Sequence, residues 1–574
     1  MNPRRQNFFS ADVLRETLFH KPERQDFHRC PFPCIIEVQR AVCAAGDFVR
    51  FRDTAESERT KDARKGLKTS VKREDCFKTA AEILCRLRYF ASLEGLLRYD
   101  QWTSLPEGGA AYRQELSAAL ARKKDELFVG SRAKDAACEL SALDPGGLSD
   151  IQRGQRRIFL SEYRKATRIP PETLRRFHLI RSDAVTAWRR ARERRDYGIF
   201  EPWLKKAFDL KKEMALALEP DAPAFDTLVG LTDQGLASQD INDQFEVLRR
   251  GIGDLLREIP PGCRDGGAFM NRDYGAEAVM DLGVKLACGN GLDEKCVTFN
   301  GFGSHGLTNR VGPRDARISL GRNGFLSLIF TLLHEGGHAA YAVRTDESYA
   351  EAGLWGGISG AMQEGVARFY ENIIGRSLEF WTWRYNDLQR ALPEFQGIDL
   401  IDFYRGINIV SPGARRTDAD EVTYSLHVII RYELERDYFR GRITAADMPA
   451  AWNEKYKSLL GVTPADDLEG VLQDMHWTGD YIGYFQSYAL GNIYDGMLRE
   501  KLVKDCPEAF DKLACGDISV IDGWMQKNIF SSGCALTAPD LMRRVTGYGL
   551  DARPFVNYLK EKYSSLGEHR NPKP

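Results

Sequence analysis

An apolar run that begins at Phe325 contains two histidines four residues apart, in the motif His334-Glu-Gly-Gly-His338. Residues at this spacing share one face of an α-helix, so the two imidazoles can bind a single metal ion. Glu335 is turned by about 100° from the first histidine. This rotation places its carboxylate beside the metal, where a general base is needed. The apolar flanks predict a buried helix that the rest of the chain must surround.

The alternative is that the two histidines meet by chance on a core helix. Histidine is scarce, with nine in 574 residues, and this scarcity favours a metal site. Gly336 and Gly337 argue mildly the other way, because each costs a helix about 1 kcal/mol relative to alanine. We therefore predict a metal site on this helix, with Glu335 as its general base.

A catalytic metal site with two histidines needs a third protein ligand and an open position. A glycine-rich loop follows over 351–360, and the pattern after it predicts a helix over 361–374 that Gly375 closes. Spacing alone leaves several glutamates as candidates for the third ligand, and these are Glu347, Glu351, Glu364 and Glu371.

The composition is that of an ordinary soluble protein, with 43% hydrophobic and 28% charged residues. A formal net charge of −1 gives no field that favours nucleic acid, and the arginine-rich stretch 189–195 is interpreted as a solvated helix face. No run approaches the roughly 18 apolar residues that span a bilayer. Twelve scattered cysteines without a CxxC pair are typical of reduced thiols. We expect a cytoplasmic protein that binds neither nucleic acid nor membrane.

Helical periodicity dominates the chain, so a mainly α fold is expected. Residues 1–75 are polar and weakly periodic, and we predict a helical or partly flexible N-terminal extension there, followed by a catalytic domain over 76–574. Before the histidine helix, short strands are predicted over 296–299 and 316–320. Such a small sheet can offer an edge strand to an extended peptide.

Several segments, from about residue 77 to the end, resemble the thermostable, Taq-type HExxH metallocarboxypeptidases. The resemblance rests on the order and spacing of five motifs. Two of them are intact, at 334–338 and at 470–477, where the chain reads Gly-Val-Leu-Gln-Asp-Met-His-Trp. The other three are altered and stand at 315–319 (Asp-Ala-Arg-Ile-Ser), 363–366 (Gln-Glu-Gly-Val) and 415–420 (Arg-Arg-Thr-Asp-Ala-Asp).

The resemblance implies a large helical, saddle-like body with a deep central groove and a small antiparallel sheet near the histidine helix. It implies one Zn²⁺ per chain, with Co²⁺ as a substitute, bound by His334, His338 and Glu364. It also implies a homodimer that removes single residues from peptides with a free C-terminus. Glu335 would then act on a metal-activated water, as the histidine motif alone predicts.

The motif matches also indicate which residues contact the substrate. Arg416 matches the arginine that pairs with the terminal carboxylate, and a guanidinium can bind a carboxylate through two hydrogen bonds. The alternative for Arg416 is a salt bridge to Asp418 or Asp420. His476 or Tyr488 is the candidate donor to the oxyanion, with a core role as the alternative for each. The full set predicted to bind substrate is Arg416, His476, Tyr488, Arg317 and Gln363.

Several positions depart from the family's pattern. Val297-Thr-Phe299 stands where the family has His-Pro-Phe, and the loop before Asp315 is longer, with His305 filling part of the gap. Gln363 replaces a histidine. We therefore expect a retained zinc hydrolase with an altered residue preference. The alternatives are a weakened homologue that binds peptides without hydrolysing them, and a zinc dipeptidase or endopeptidase.

Overall fold

The computed structural model describes residues 58–259, 266–301, 306–321 and 324–568. Two compact units are distinguished, Met1–Leu67 and Lys68–Pro574, and only the start of one helix is described in the first. His305 and most of the predicted N-terminal extension lie outside the described residues. The boundary at residue 75 therefore stays a prediction.

Helices make up most of the described chain, which confirms the mainly α fold class. Their starts follow local sequence signals. Ser149 and Gln152 form a capping box at one helix, and Pro171 occupies the first turn of the next. The helices before the sheet are α1 Glu58–Thr103, α2 Ala110–Asp125, α3 Ser131–Ala142, α4 Asp150–Arg168, α5 Pro171–Arg194, α6 Glu201–Leu218, α7 Ala224–Thr232, α8 Ser238–Glu258 and α9 Ala276–Cys288.

The helices after the sheet include the histidine helix, α10. They are α10 Phe325–Val343, α11 Glu347–Glu351, α12 Gly360–Arg368, α13 Leu378–Ala391, α14 Leu400–Ile407, α15 Tyr424–Phe439, α16 Met448–Leu460, α17 Gln486–Asp505, α18 Ala509–Ala514, α19 Ser519–Met525, α20 Ala538–Thr546 and α21 Arg553–Glu568. A π-helical turn, Phe369–Ile374, continues α12, so the helix predicted over 361–374 changes its hydrogen bonding midway. Within the described ranges, no helix is long and apolar enough to cross a membrane.

A three-stranded sheet precedes α10 and consists of β1 Val297–Asn300, β2 Leu307–Gly312 and β3 Asp315–Ser319. The order is β1-β3-β2, with β1 parallel to β3 and β2 antiparallel to it. The expectation of an antiparallel sheet is therefore wrong for the β1–β3 pair. The reason is that β2, which was not predicted, forms the hairpin with β3, so β3 returns in the direction of β1.

Helix α10 lies in the main hydrophobic core, as its apolar flanks predict. Leu328, Ile329, Leu332 and Leu333 are at most 1% exposed. Helix α9 approaches closely on one side, where a Cβ atom on Gly283 would lie 2.2 Å from Cδ1 of Leu332. The close packing of these apolar residues fixes the orientation of α10, and therefore the direction of its polar side chains.

Candidate active site

His334 and His338 on α10 and Glu364 on α12 form a cluster whose ligand atoms lie within 4.8 Å of one another. The Nε2 atom of His334 is 3.6 Å from Oε2 of Glu364. That carboxylate oxygen is buried and has no hydrogen-bond partner, a deficit that a cation would satisfy. Two imidazoles and one carboxylate are the ligands of many catalytic zinc sites. The residues therefore fit a divalent metal ion.

Glycines determine how closely the ligand-bearing helices approach. A Cβ atom on Gly337 of α10 would lie 2.7 Å from Cα of Ala367 on α12. Helix α12 in turn packs on α17, where a Cβ atom on Gly491 would lie 2.8 Å from Cβ of Glu364 and 2.9 Å from N of Gly365. Side chains at these glycines would force the helices apart, so the glycines bring Glu364 to the histidines.

The other glutamates that spacing allowed as ligands lie elsewhere. Glu347 and Glu351 are exposed on α11 and outside the cluster. Glu371, in the π-helical turn, accepts a hydrogen bond of 2.9 Å from Nδ1 of His334. Burial acts to raise the pKa of Glu371, but the charge of Arg368 and the bond from His334 lower it to about 2. An anionic Glu371 therefore orients His334 so that Nε2 faces the cluster.

Gln363 contacts the second histidine. Its Oε1 atom lies 3.3 Å from Nδ1 of His338, and its Nε2 atom donates to the carbonyl oxygen of Gly356 at 2.7 Å. Because the amide nitrogen is committed to that carbonyl, the amide oxygen must face the imidazole and accept from Nδ1. This interaction leaves Nε2 of His338 without a proton, in the form that binds a metal. The substrate-binding role of Gln363 stays a prediction.

Glu335 lies against strand β2. The hydroxyl group of Thr308 donates to Oε2 of Glu335 at 2.6 Å. Burial raises the pKa of Glu335 above its ordinary value, and the interactions with His334 and Thr308 offset only part of this effect. The carboxylate thus stands beside the ligand cluster with raised proton affinity, as a general base requires.

Arg416 forms a charged cluster with Asp474 and Arg431. Its Nη2 atom lies 2.7 Å from Oδ1 of Asp474, and Nε of Arg431 lies 2.5 Å from Oδ2 of the same carboxylate. Arg416 thus pairs with Asp474 rather than with Asp418 or Asp420. Although burial acts to raise it, the pKa of Asp474 is held well below its usual range by the two guanidinium charges. Two cations share one anion, so this cluster keeps one positive charge.

His476 and Tyr488 lie beside this cluster and contact each other. Nε2 of His476 is 3.1 Å from the Tyr488 hydroxyl, and the guanidinium of Arg416 lies 5.2 Å from the centre of the Tyr488 ring. Burial and the neighbouring arginine charges lower the pKa of His476 to about 3, so its imidazole is neutral near pH 7. Tyr484, from the same segment, donates to Oε1 of Glu364 at 3.0 Å.

Arg317 was predicted to bind substrate, but its side chain lies on the face of the sheet that points away from Glu335 and the candidate metal ligands. It pairs with Asn309 across the sheet, whereas Thr308, the next residue, points to Glu335. Successive side chains of a strand point to opposite faces. Arg317 forms an ion pair with Asp315 at 3.0 Å and lies 5.8 Å from the Tyr99 ring.

Sequence reasoning missed the residues that support the site from outside. These are Thr308 on β2, Tyr484 on Glu364, and Asp474 between the two arginines. Asp474 lies in the intact motif 470–477, so the motif match included this residue, but the match did not indicate that Asp474 pairs with the two arginines. Thr308 carried no signal, because the strand that holds it was not predicted.

Comparison with known proteins identifies relatives over most of the chain. A family model described as carboxypeptidase Taq (M32) metallopeptidase matches residues 79–563. Thermostable carboxypeptidase 1 of Thermus thermophilus is 32% identical over 507 residues, which cover 86% of this chain and 99% of that protein. Carboxypeptidase 1 of Bacillus subtilis is 31% identical over 494 residues, covering 84% and 97%. The crystal structure of an M32 carboxypeptidase from Deinococcus radiodurans R1 gives a TM-score of 0.80 at 30% identity, covering 86% and 99%.

Proposed function

The chain belongs to the carboxypeptidase Taq (M32) metallopeptidase family, and we propose that it is a zinc carboxypeptidase that releases single residues from the free C-termini of peptides. The observation that carries the proposal is the carboxylate of Glu335 beside the cluster of His334, His338 and Glu364. Metal-assisted peptide hydrolysis uses a general base of this kind next to a metal ion.

The catalytic steps follow from the positions of these side chains. A metal ion bound by His334, His338 and Glu364 would supply an activated water and polarise the scissile carbonyl. Glu335 accepts the proton of the attacking water and passes it to the leaving amine. The hydroxyl group of Thr308, which donates to Glu335 at 2.6 Å, fixes the position of one oxygen of this carboxylate.

The substrate's terminal carboxylate is proposed to pair with Arg416. The uncompensated positive charge shared by Arg416, Arg431 and Asp474 supports this role, because an incoming carboxylate supplies the missing negative charge. His476 and Tyr488 lie next to Arg416, and one of the two is proposed as the donor to the oxyanion.

Replacing the base tests the proposed chemistry. Glu335→Gln should bind zinc as the wild type does, while hydrolysis of blocked dipeptides falls by several orders of magnitude. Glu347→Gln is the matched control, because Glu347 is exposed on α11, and it should keep full activity. Normal turnover by Glu335→Gln would refute the assignment.

Replacing Arg416 tests whether the enzyme is an exopeptidase. Arg416→Ala should lose activity on free-acid peptides, and amidated peptides should be poor substrates of both proteins. Equal cleavage of free and amidated peptides by the wild type would indicate an endopeptidase. Stoichiometric zinc without any release of C-terminal residues would indicate a homologue that only binds peptides.

Three further properties are proposed from the family resemblance. We propose zinc as the resident metal with cobalt as a substitute, a homodimer, and a cytoplasmic location. Elemental analysis of the purified protein, activity after cobalt exchange, light scattering and cell fractionation test them in turn.

A further inference from the structure

Strand β2 directs a second polar side chain to the face that meets the candidate active site. Thr308 donates to Glu335, and side chains two residues apart on a strand share a face. Arg310 therefore lies on the same face as Thr308, one step further along the strand. The register of β2 with β3 is regular over both residues, so no bulge between them changes the direction of the Arg310 side chain.

The guanidinium of Arg310 is connected to a candidate metal ligand through one backbone carbonyl. Its Nη1 atom donates to the carbonyl oxygen of Gly356. The same oxygen accepts the hydrogen bond from Gln363, whose amide contacts His338. Arg310 thus reaches the site on the His338 side, whereas Tyr484, from the segment that holds His476, reaches it at Glu364.

Helix α1 brings two more arginines to this place. A Cβ atom on Gly95 would lie 2.7 Å from the carbonyl oxygen of Arg310, so α1 packs directly on β2. Arg88 and Arg98 stand seven residues before and three after Gly95, on the same helix face. Arg88 donates to the carbonyl oxygen of Gly353 at 2.9 Å. Arg88 and Arg310 thus bond to the two ends of the loop between Gly353 and Gly356, and Arg98 lies close enough to interact electrostatically with Arg310.

The three arginines differ from Arg314 of the adjacent turn, because they have no carboxylate of the described residues in ion-pair contact. Within the described part of the chain, none of Arg88, Arg98 and Arg310 is ion-paired with a carboxylate; Arg88 and Arg310 bond to backbone carbonyls and, for Arg88, to a thiol. By contrast, Arg314 in the β2–β3 turn lies 2.9 Å from Asp293. Arg310 is exposed, and a guanidinium has five N–H donors. It can therefore pair with a carboxylate from outside the chain.

We propose that Arg310 is a specificity-determining residue which selects an acidic side chain on the residue that precedes the C-terminal one. The inference rests on the proposed function. If Arg416 holds the terminal carboxylate, the released residue lies on the Tyr484 and Glu364 side of the site. The residue across the scissile bond then lies on the His338 side, next to Arg310. Arg88 and Arg98 add positive potential behind it.

The test compares N-blocked dipeptides that end in phenylalanine and carry glutamate, glutamine or lysine before it. Glutamate and glutamine have the same shape, so the ratio of their kcat/KM values isolates the charge. Zinc-loaded wild type should favour glutamate over glutamine about tenfold, which corresponds to about 1.4 kcal/mol. The ratio should shrink as ionic strength rises.

Variants at Arg310 assign the preference to this residue. Arg310→Gln should bring the glutamate-to-glutamine ratio close to one, Arg310→Lys should keep part of it, and Arg310→Glu should shift the preference toward lysine. Arg314→Gln, which loses a paired arginine of the adjacent turn, should keep the wild-type ratio. Thermal unfolding of each variant verifies that it is folded.

The outcomes separate the inference from the proposed function. If the zinc-loaded wild type releases phenylalanine from none of the peptides, the proposed function fails and the inference with it. If it releases phenylalanine from the glutamate and glutamine peptides at equal rates, only the inference is overturned. A glutamate preference that persists in Arg310→Gln would also overturn the inference, whatever the other variants show.

Discussion

Gly337→Ala is expected to damage the proposed metal site through a single methyl group. The added Cβ atom would lie 2.7 Å from Cα of Ala367 and 3.0 Å from the carbonyl oxygen of Val366. Ordinary contacts begin at about 3.4 Å, so α10 and α12 must separate by about 0.7 Å at this point. Metal–ligand distances tolerate about 0.2 Å. Because Glu364 is one turn from Ala367 on α12, the separation should weaken zinc binding by at least about tenfold.

Gly336→Ala is the matched control for this change. Its Cβ atom would meet only side-chain ends, Cδ1 of Leu292 at 3.2 Å and Cβ of Ala287 at 3.4 Å. Both substitutions gain the same helix propensity, about 1 kcal/mol, so this contribution cancels in the comparison. The difference between the two free energies of unfolding should equal the cost of overpacking at Gly337, about 1–3 kcal/mol.

Two measurements decide the matter. Urea unfolding of the metal-free proteins gives the free-energy difference, and competition with a chelating indicator gives the zinc dissociation constants. Gly336→Ala should match or exceed the wild type in stability and bind zinc as tightly. Equal stability and equal zinc affinity for the two variants would refute the argument that Gly337 sets the distance between α10 and α12.

The remaining predictions concern metal binding and pH. Gln363→Leu should weaken zinc binding by about 10- to 100-fold, because His338 loses the acceptor for its Nδ1 proton; an unchanged dissociation constant in chelator competition would contradict this. Removing the metal with a chelator should lower the free energy of unfolding by about 2.7 kcal/mol relative to the protein in zinc at one hundred times its Kd. The loss should appear as a fall in Tm. An identical Tm with and without metal would argue against a bound ion. Glu435 is fully buried and accepts from the indole of Trp477 at 2.8 Å; burial raises its pKa to about 8 from the ordinary 4.5. The folded protein therefore retains a proton that the unfolded chain releases, so stability should fall as pH rises from about 4.5 to 8, by at most about 1.4 kcal/mol per pH unit from this group. Glu435→Gln should flatten that part of the pH profile in urea unfolding, and a profile unchanged by the substitution would disprove the contribution.

The helical periodicity of the sequence was sufficient to predict which side chains of α10 contribute to the site. His334, Glu335 and His338 share a helix, so their relative directions follow from its fixed rotation per residue. The third position did not follow from spacing, which allowed four glutamates. The fold separates them, because Glu347 and Glu351 are exposed on α11 while Glu364 and Glu371 approach opposite nitrogens of His334.

Long-range contacts explain what spacing did not predict. Strand β2 was missed because its apolar and polar residues do not alternate in the sequence. The side chain that the fold buries completely is the polar Asn309, and its neighbour Arg310 is exposed. The partner of Arg416 is Asp474, which is distant in sequence. Gly337 counted against the helix by propensity, yet its missing side chain is what the packing of α12 requires. Tertiary packing overrides local preference at this residue.

The contact of Gly491 with Glu364 also determines when the site can form during synthesis. His334, His338 and Glu364 all leave the ribosome before α17 exists, but α12 rests on Gly491 of α17. Until that helix has emerged and docked, a nascent chain presents two imidazoles on α10 without a fixed carboxylate. We therefore expect the proposed ligand set to capture its metal late in biogenesis, and chains truncated before residue 491 should bind zinc only as weakly as a pair of histidines does.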